Sequence, residues 1–144
     1  VLTAIVMLFT FTAFATEPVK VSTVVKAAFK SDFAKATQVV WDKTEDFYFA
    51  SFTLNNLSVD AAYKNDGELV GMSRIISKQL VPLSVSLAIA EKYDGYQVEE
   101  SVVELTFEGV TRYYVTVSNE SQKLKLNCNI YGEIEVDKKT KLKG

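Results

Sequence analysis

The acidic side chains of this sequence come in three close groups, and paired carboxylates are the residues here best suited to acid–base or metal chemistry. The groups are Glu45-Asp46, Glu99-Glu100, and Asp66 with Glu68. General acid–base catalysis needs titratable groups with perturbed pKa values in a cleft, and Ca²⁺ takes about six to eight oxygen ligands. All three groups fall at predicted turns or outward strand positions. We therefore interpret them as solvated surface residues and predict no catalytic and no metal site.

Composition excludes several kinds of reaction centre. The 144 residues include no histidine and a single cysteine, Cys128. Without histidine there is no Ser-His-Asp or Cys-His arrangement and no His-ligated metal. One cysteine allows neither an intramolecular disulfide nor a CxxC motif, and the scattered glycines form no phosphate-binding loop. We therefore expect a non-enzymatic protein that uses no cofactor.

The charge balance bears on the class of partner. Lys and Arg number 16 against 18 Asp and Glu, which gives a net charge of −2, and 48% of the residues are hydrophobic. A globular chain of this composition lacks the strongly basic surface that nucleic-acid binding requires. Its length favours a single domain. We expect no nucleic-acid partner, while the oligomeric state is left open.

The first fifteen residues predict the location of the protein. Val1–Ala15 carries no charge and ends in Ala13-Phe14-Ala15, before the polar Thr16-Glu17-Pro18. A short apolar run that ends in A-x-A is typical of a secretory signal peptide, and a spanning helix needs about 20 apolar residues. We predict a signal peptide over 1–15, cleavage after Ala15, a mature chain of 16–144 without stable membrane insertion, and a periplasmic or secreted location. An uncleaved anchor is the alternative.

Two stretches of the chain share one pattern. The same helical spacing occurs at Val25, Ala28, Phe29 and Phe33 and again at Val85, Ala88, Ile89 and Tyr93. Ser22 is predicted to cap the first of these helices. Each helix is followed by runs that alternate with period two, which predicts strands over 38–42, 47–54, 57–64 and 68–71, then over 97–106, 111–118, 123–129 and 133–137. We predict two tandem repeats, about 22–71 and 82–137, joined by the segment 72–81.

The turns between these strands predict how the strands pair. Asn55-Asn56, Gly67 and Gly132 suit tight hairpins, which require antiparallel neighbours. One repeat alone buries too little surface to be stable. We therefore predict an α+β fold, in which each repeat is a helix followed by four antiparallel strands. Both helices cover one face of the sheet, and the other face is open.

The open face supplies the candidate binding residues. Alternation places seven side chains on it: Phe47, Phe49, Asp60, Arg112, Tyr114, Lys123 and Lys125. Aromatic residues and arginine are enriched at protein interfaces. The alternatives are that aromatics merely favour strands, or that loops or a second protomer cover this face.

Three further features receive structural interpretations. Alternation places Trp41 in the core and Cys128 at an inward position as a buried thiol. The basic run 138–143 is interpreted as a solvated, frayed tail. A weak contact of this run with anionic membrane or cell wall is the alternative.

The residues also resemble a known family. The pattern A-F-x-x-x-F-x-x-A at 28–36, Val39-x-Trp41, the strand 48–52 and Asp66-Gly67 are similar to the PepSY-like family of secreted bacterial proteins. Segments 73–76, 83–93 and 95–98 resemble its second repeat, so the resemblance covers about 22–137. The chain departs from the family pattern at Ala34 and Asp94, where proline is common, and at Tyr131-Gly132, where the family has Asp-Gly.

The resemblance implies both a fold and a functional class. The family is similar in fold to the β-lactamase-inhibitor protein, with tandem helix-plus-sheet repeats, and is common in the periplasm of Bacteroidota-type bacteria. Its motifs are structural, and none is catalytic. We expect a protein-binding or inhibitory module whose partner is another envelope protein. The alternative is a small-ligand or envelope-stress sensor that binds between the repeats.

Overall fold

The computed structural model describes residues 18–143, so the predicted leader and its cleavage after Ala15 lie outside the described residues. These residues form two α-helices, one short 3₁₀ helix (Lys78–Leu80) and nine strands. In chain order the helices and strands are α1 Thr23–Asp32, β1 Thr37–Lys43, β2 Phe47–Leu54, β3 Leu57–Lys64, β4 Leu69–Ser77, α2 Leu83–Lys92, β5 Gln97–Val98, β6 Ser101–Phe107, β7 Val110–Ser118, β8 Gln122–Asn129 and β9 Ile134–Lys141.

All nine strands belong to one antiparallel sheet. Its order is β1-β2-β3-β4-β6-β7-β8-β9, and the two-residue β5 pairs with β7. The predicted α+β class and the antiparallel pairing are confirmed. We call residues 18–77 the amino-terminal half and residues 78–143 the carboxy-terminal half. The strands β4 and β6 join the two halves, from Gly71 opposite Phe107 to Ser77 opposite Ser101.

Three segments differ from the prediction. The segment 72–81 was expected to be a linker, but β4 continues through Ser77 because its backbone pairs with β6. The strand predicted over 97–106 is interrupted at 99–100, so that five strands follow α2 and four follow α1. The run 138–143 was predicted to be a frayed tail, but β9 continues through Lys141 and pairs with β8.

Each helix begins and packs as its sequence indicates. The Ser22 side chain accepts a hydrogen bond from the Val25 backbone N–H at 3.3 Å, which caps α1 as predicted. Pro82 precedes α2, where its missing N–H costs no helical hydrogen bond. Both helices lie on the same side of the sheet, because each packs on the inward side chains of its own half.

The sheet has a separate hydrophobic core beneath each helix. Under α1 the buried side chains are Val21, Val25, Phe29, Tyr48, Ala50, Phe52, Val59, Ala61 and Tyr63. Under α2 they are Ile76, Val85, Ile89, Val102, Tyr113, Val115, Val117, Leu124, Leu126 and Cys128. Cys128 is a buried free thiol, as predicted, and Trp41 packs against the first core.

Tight turns set the register of the hairpins. Asn55 and Asn56 both have positive φ, at 49° and 63°, which is the conformation predicted for this turn. Glu108 and Gly109 repeat that conformation between β6 and β7, with φ of 47° and 79°. These turns fix which residues of neighbouring strands face each other, and thereby which side chains share the open face.

Candidate binding surface

Within residues 18–143, no helix lies on the second face of the sheet, which we call the open face. Strand pairing places Ser73 opposite Leu105 and Ile75 opposite Val103 at the centre of this face. Ile75 is 49% exposed. The junction between the two halves therefore carries apolar side chains that could contact a partner.

Three phenylalanines form a cluster on the open face across that junction. The ring centroids of Phe47 and Phe49 are 6.1 Å apart, and those of Phe47 and Phe107 are 6.2 Å apart. Phe107 comes from the other half of the chain and is 39% exposed. A Cβ added at Gly71 would lie 2.8 Å from Phe107 Cδ2, so the glycine makes room for the ring. The structure thus brings predicted residues Phe47 and Phe49 together with Phe107.

Asp60 has structural hydrogen bonds. Ser51 Oγ donates to Asp60 Oδ1 at 2.5 Å, and Ser73 Oγ donates to Asp60 Oδ2 at 3.2 Å. The serines belong to the two strands that flank β3, so the carboxylate links three neighbouring strands. Asp60 lies on the open face as predicted, with both oxygens already bonded.

Tyr114 was predicted to be an exposed binding residue, but its side chain is buried. It lies on the open face but is only 4% exposed, and the Lys125 ammonium lies 5.1 Å from its ring centroid. Burial raises the pKa of the Tyr114 hydroxyl, the charge of Asp137 raises it further, and the charge of Arg112 lowers it. The prediction failed because alternation assigns a face but does not show which neighbours fold over a side chain.

The remaining predicted residues are basic and lie toward the β9 edge. Lys123 forms an ion pair with Glu99 at 2.6 Å, and Lys125 forms one with Asp137 at 3.6 Å. Arg112 is half-buried opposite Leu105. Two of these three cations are therefore compensated within the chain, which leaves the apolar centre as the better candidate for contact.

Sequence reasoning missed Ile75, Val103, Leu105 and Phe107 on the open face. The segment 72–81 was interpreted as a linker, and β6 was given no face of its own. The β-branched pair Ile75-Ile76 is the signal that could have indicated a strand there, since such residues favour strands. Once β4 extends, Ile76 enters the core and Ile75 must face the other way.

The helix side of the junction bears on the alternative site between the halves. There Arg74 Nε lies 2.7 Å from Glu104 Oε1, next to the largely buried Tyr113. Burial raises the pKa of Tyr113, and the charge of Glu104 and its hydrogen bond raise it further. The guanidinium and the carboxylate satisfy each other, and Met72 beside them is exposed.

The acidic groups lie on the surface, and those at 66–68 and 99–100 interact with neighbouring side chains or backbone. Lys64 Nζ lies 2.8 Å from Glu68 Oε2, and the Glu68 backbone N–H donates to Asp66 Oδ1 at 3.0 Å, as in a hairpin turn. Ser77 Oγ donates to Glu100 Oε1 at 2.5 Å. In the described part of the chain, no three His, Cys, Asp or Glu side chains are grouped to hold a metal ion.

Similarity to known proteins is found in structure and not in sequence. Neither a protein-family model nor a curated protein sequence matches this chain. A Bacteroides eggerthii protein described as periplasmic superposes with a TM-score of 0.70 at 20% identity, over 85% of this chain and 90% of its own. A DUF2874 family protein from Bacteroides uniformis gives 0.69 at 23% identity, over 85% and 90%.

A third solved structure decides the type of fold. It is a BLIP-like protein from Bacteroides fragilis, with a TM-score of 0.66 at 20% identity, over 86% of this chain and 88% of that protein. This chain has a BLIP-like fold. The periplasmic description of the Bacteroides eggerthii protein agrees with the periplasmic or secreted location predicted from the leader. Among residues 18–143, neither helix is long and apolar enough to cross a membrane.

Proposed function

We propose that this BLIP-like chain is a non-enzymatic protein-binding or inhibitory module of the periplasm, and that it contacts another envelope protein through its open face. The observation that carries the proposal is the apolar centre of that face, where Ile75, Val103 and Leu105 lie beside the cluster of Phe47, Phe49 and Phe107. Partly exposed aromatic residues on a rigid sheet are typical of interface anchors.

We also propose that this chain is PepSY-like, that it consists of two tandem repeats, and that its leader is removed after Ala15. In such a protein the strands of both repeats form one sheet, and the open face of that sheet is continuous in the periplasm. The two helices, of ten residues each, support the duplication, and so do the turn glycines Gly67 and Gly132, which have φ of +89° and +86° and each lie close to the helix of their own half. The BLIP-like neighbour supports a binding role, because the fold it is described by takes its name from an inhibitor.

The alternative proposal is a small-ligand or envelope-stress sensor with its site between the halves. Residues Arg74 and Glu104 are the charged groups on the helix side of that junction, and they already form an ion pair with each other. A ligand there would have to replace this pair. The open face needs no such rearrangement and is the stronger candidate.

The test is affinity capture from a periplasmic extract with matched surface variants. Ile75→Glu and Phe107→Ser change exposed open-face side chains, and Val24→Ser changes an exposed side chain on α1, on the other side of the sheet. We expect the wild type and Val24→Ser to retain one and the same protein, and both open-face variants to lose it.

Unfolding midpoints and purified components complete the experiment. Ile75→Glu and Val24→Ser should unfold close to the wild-type midpoint, because exposed substitutions usually change stability by about 0.5 kcal/mol or less. Phe107→Ser also removes a ring that packs against Phe47, so its midpoint should fall further. The captured protein is then purified and titrated against each variant. Equal binding by all variants, or loss of binding by Val24→Ser alone, would contradict the use of the open face.

A further inference from the structure

The strands of the sheet lie symmetrically about the junction between the two halves. Along the path β1-β2-β3-β4-β6-β7-β8-β9, four strands lie on each side of the pairing of β4 with β6. The apolar pair of Ile75 and Val103 lies at this junction on the open face. A half-turn about an axis parallel to the strands at the junction would therefore lay β4 of one copy over β6 of a second copy, β3 over β7, and β2 over β8.

One row of open-face residues carries opposite charges on the two sides of the junction. Asp60 pairs with Ser73 on β4, and Arg112 pairs with Leu105 on β6. Ser73 and Leu105 pair with each other across the junction, so the four residues form one row. Residues directly opposite each other on paired strands share a face of the sheet. Asp60 on β3 and Arg112 on β7 therefore lie equally far from the junction, on the same face.

Neither of these two charges is neutralised by the chain itself. Among residues 18–143, the ion pairs within 4 Å include neither Asp60 nor Arg112. The hydrogen bonds that Asp60 accepts come from the neutral hydroxyls of Ser51 and Ser73, which leave its charge in place. A carboxylate offers about four acceptor sites, so Asp60 can also accept from a guanidinium. Both charged side chains are half-buried, where charges interact more strongly than in water.

The acidic residues between Arg112 and the β9 edge do not change this result. Glu133 accepts a hydrogen bond from the Asn129 side chain, and Asp137 is already in an ion pair. Glu135 lies on β9, two strands away from β7. None of the three carboxylates lies within 4 Å of the Arg112 guanidinium. The guanidinium therefore stays available beside the apolar centre of the open face.

We propose that two copies of this chain pack open face against open face in a two-fold dimer, in which Asp60 of each copy pairs with Arg112 of the other. A two-fold interface joins the same patch of both copies, so this ion pair forms twice. Sheets that pack face to face lie about 10 Å apart with interdigitating side chains, and here Ile75 would meet Val103 at the centre.

The remaining open-face charges also favour a second copy as the occupant. The half-turn lays β8 and β9, which carry Lys123, Lys125 and Lys138 on this face, over β2 and β1 of the other copy. The open-face residues of β1 and β2 include Asp42 and no lysine or arginine. The dimer therefore brings no two like charges of these four strands together.

The dimer would regulate the same surface that binds the envelope partner. This consequence rests on the proposed function: two copies that cover each other's open face must separate before either can bind another protein. The dimer itself does not rest on that function, because it forms from the purified chain alone. The two ideas can therefore fail independently.

Sedimentation velocity of the purified exported protein, over a range of concentrations, tests the dimer. Asp60→Lys and Arg112→Glu each place like charges at both contacts of a homodimer. Lys26→Glu makes the same change of charge as Arg112→Glu but lies on α1, on the other side of the sheet, and is the matched control. The two open-face variants are also mixed in equal amounts, because their heterodimer would contain one native pair and one reversed pair.

We expect the wild type and Lys26→Glu to dimerise and the mixture to restore the dimer. Each open-face variant alone should dimerise about a hundredfold more weakly, since each of two equivalent contacts contributes about tenfold. Asp60→Asn, which keeps an acceptor for the serines, replaces Asp60→Lys if the lysine lowers the unfolding midpoint, and should weaken the dimer by a smaller factor.

Three results would overturn the proposal: a wild type that stays monomeric, variants that dimerise as the wild type does, or a mixture that remains monomeric. A monomeric wild type that still captures an envelope protein through its open face would remove the dimer and leave the proposed function in place. A charge-dependent dimer without such capture would support the dimer and remove the proposed function.

Discussion

The two halves of this molecule build the same arrangement from different side chains. Under α1 the core is aromatic: Phe29 meets Trp41, Phe52 and Tyr63 edge to face, with centroids 5.1, 5.0 and 6.4 Å away. Under α2 the equivalent volume holds mainly aliphatic residues such as Val115, Leu124 and Leu126. The difference teaches that the pattern of burial, more than the identity of the buried residue, specifies this helix-on-sheet packing.

The halves also differ at one corresponding buried position. Tyr63 lies opposite Tyr48 on the neighbouring strand, and Cys128 lies opposite Tyr113 in the same way. Both side chains are fully buried, but only Tyr63 has a polar link to its helix, through a 2.8 Å hydrogen bond to Asp32 Oδ2. The helix of the amino-terminal half is thus held on the sheet by edge-to-face aromatic contacts and a hydrogen bond, and that of the carboxy-terminal half by apolar packing.

The largest effect is expected from truncating the centre of the aromatic core. Phe29→Ala should lower the free energy of unfolding by about 3–5 kcal/mol, because it removes a ring that contacts four other aromatic side chains. Urea denaturation measures the change. Lys26→Ala, at an exposed position of the same helix, is the control and should stay within about 0.5 kcal/mol of the wild type. A loss for Phe29→Ala as small as the control's would contradict the aromatic core.

A smaller effect is expected when only the hydrogen bond of Tyr63 is removed. Tyr63→Phe should cost about 2 kcal/mol near neutral pH, since the bond has a charged acceptor. Hydroxyl removal from the exposed Tyr131 by Tyr131→Phe is the control, and we expect no measurable change for it. Equal losses for the two variants would show that the Asp32 bond contributes nothing.

Alkaline pH gives a second readout for Tyr63. Burial raises the pKa of its hydroxyl above the ordinary value of 10.0, and the hydrogen bond and charge of Asp32 raise it further. The unfolded chain therefore loses this proton at a lower pH than the folded chain does. The stability that Tyr63 contributes is complete below pH 10.0 and is lost as the pH rises above it. Urea titrations across this range should show a shallower decline for Tyr63→Phe.

The smallest effect is expected at Cys128, where no polar link exists to lose. Cys128→Val keeps the volume apolar and should change the free energy of unfolding by less than about 1.5 kcal/mol. Burial raises the pKa of the Cys128 thiol from 9.0 to about 11, so its contribution is complete below pH 9.0 and is lost as the pH rises toward 11. The valine variant should lack that part of the alkaline decline. A valine variant that is unfolded at neutral pH would show that the core under α2 is as sensitive to substitution as the aromatic core under α1.

Local sequence patterns predicted the helix and the hairpin turn correctly. The lengths of two strands depend on pairing with strands distant in sequence, and these lengths were not predicted. The spacing of Val25 and Phe29, the cap at Ser22 and the turn at Asn55-Asn56 are set by neighbours in sequence, and all three are confirmed. The extent of β4 depends on pairing with β6, which is distant in sequence, so the segment 72–77 was not recognised as a strand. The second half of β9, residues 138–141, was mistaken for part of a tail for the same reason.

The candidate surface was predictable to a similar degree. Alternation assigned Phe47, Phe49 and Asp60 to the open face correctly, because a strand has only two faces. The burial of Tyr114 depends on Lys125 and other neighbours from adjacent strands, which no local pattern encodes. Phe107 joined the cluster only through the pairing of β4 with β6, so its contribution required the tertiary structure.

The pairing of β4 with β6 joins the two halves into one sheet with one continuous open face, and we expect this sheet to unfold cooperatively. The chain contains one tryptophan, Trp41, and one cysteine, Cys128, and each packs in or against the core of a different half. Urea unfolding followed by Trp41 fluorescence and by pulse labelling of the Cys128 thiol therefore reports the two halves separately. One sheet joined along β4 and β6 predicts coincident midpoints for the two probes. Two separate midpoints would contradict it.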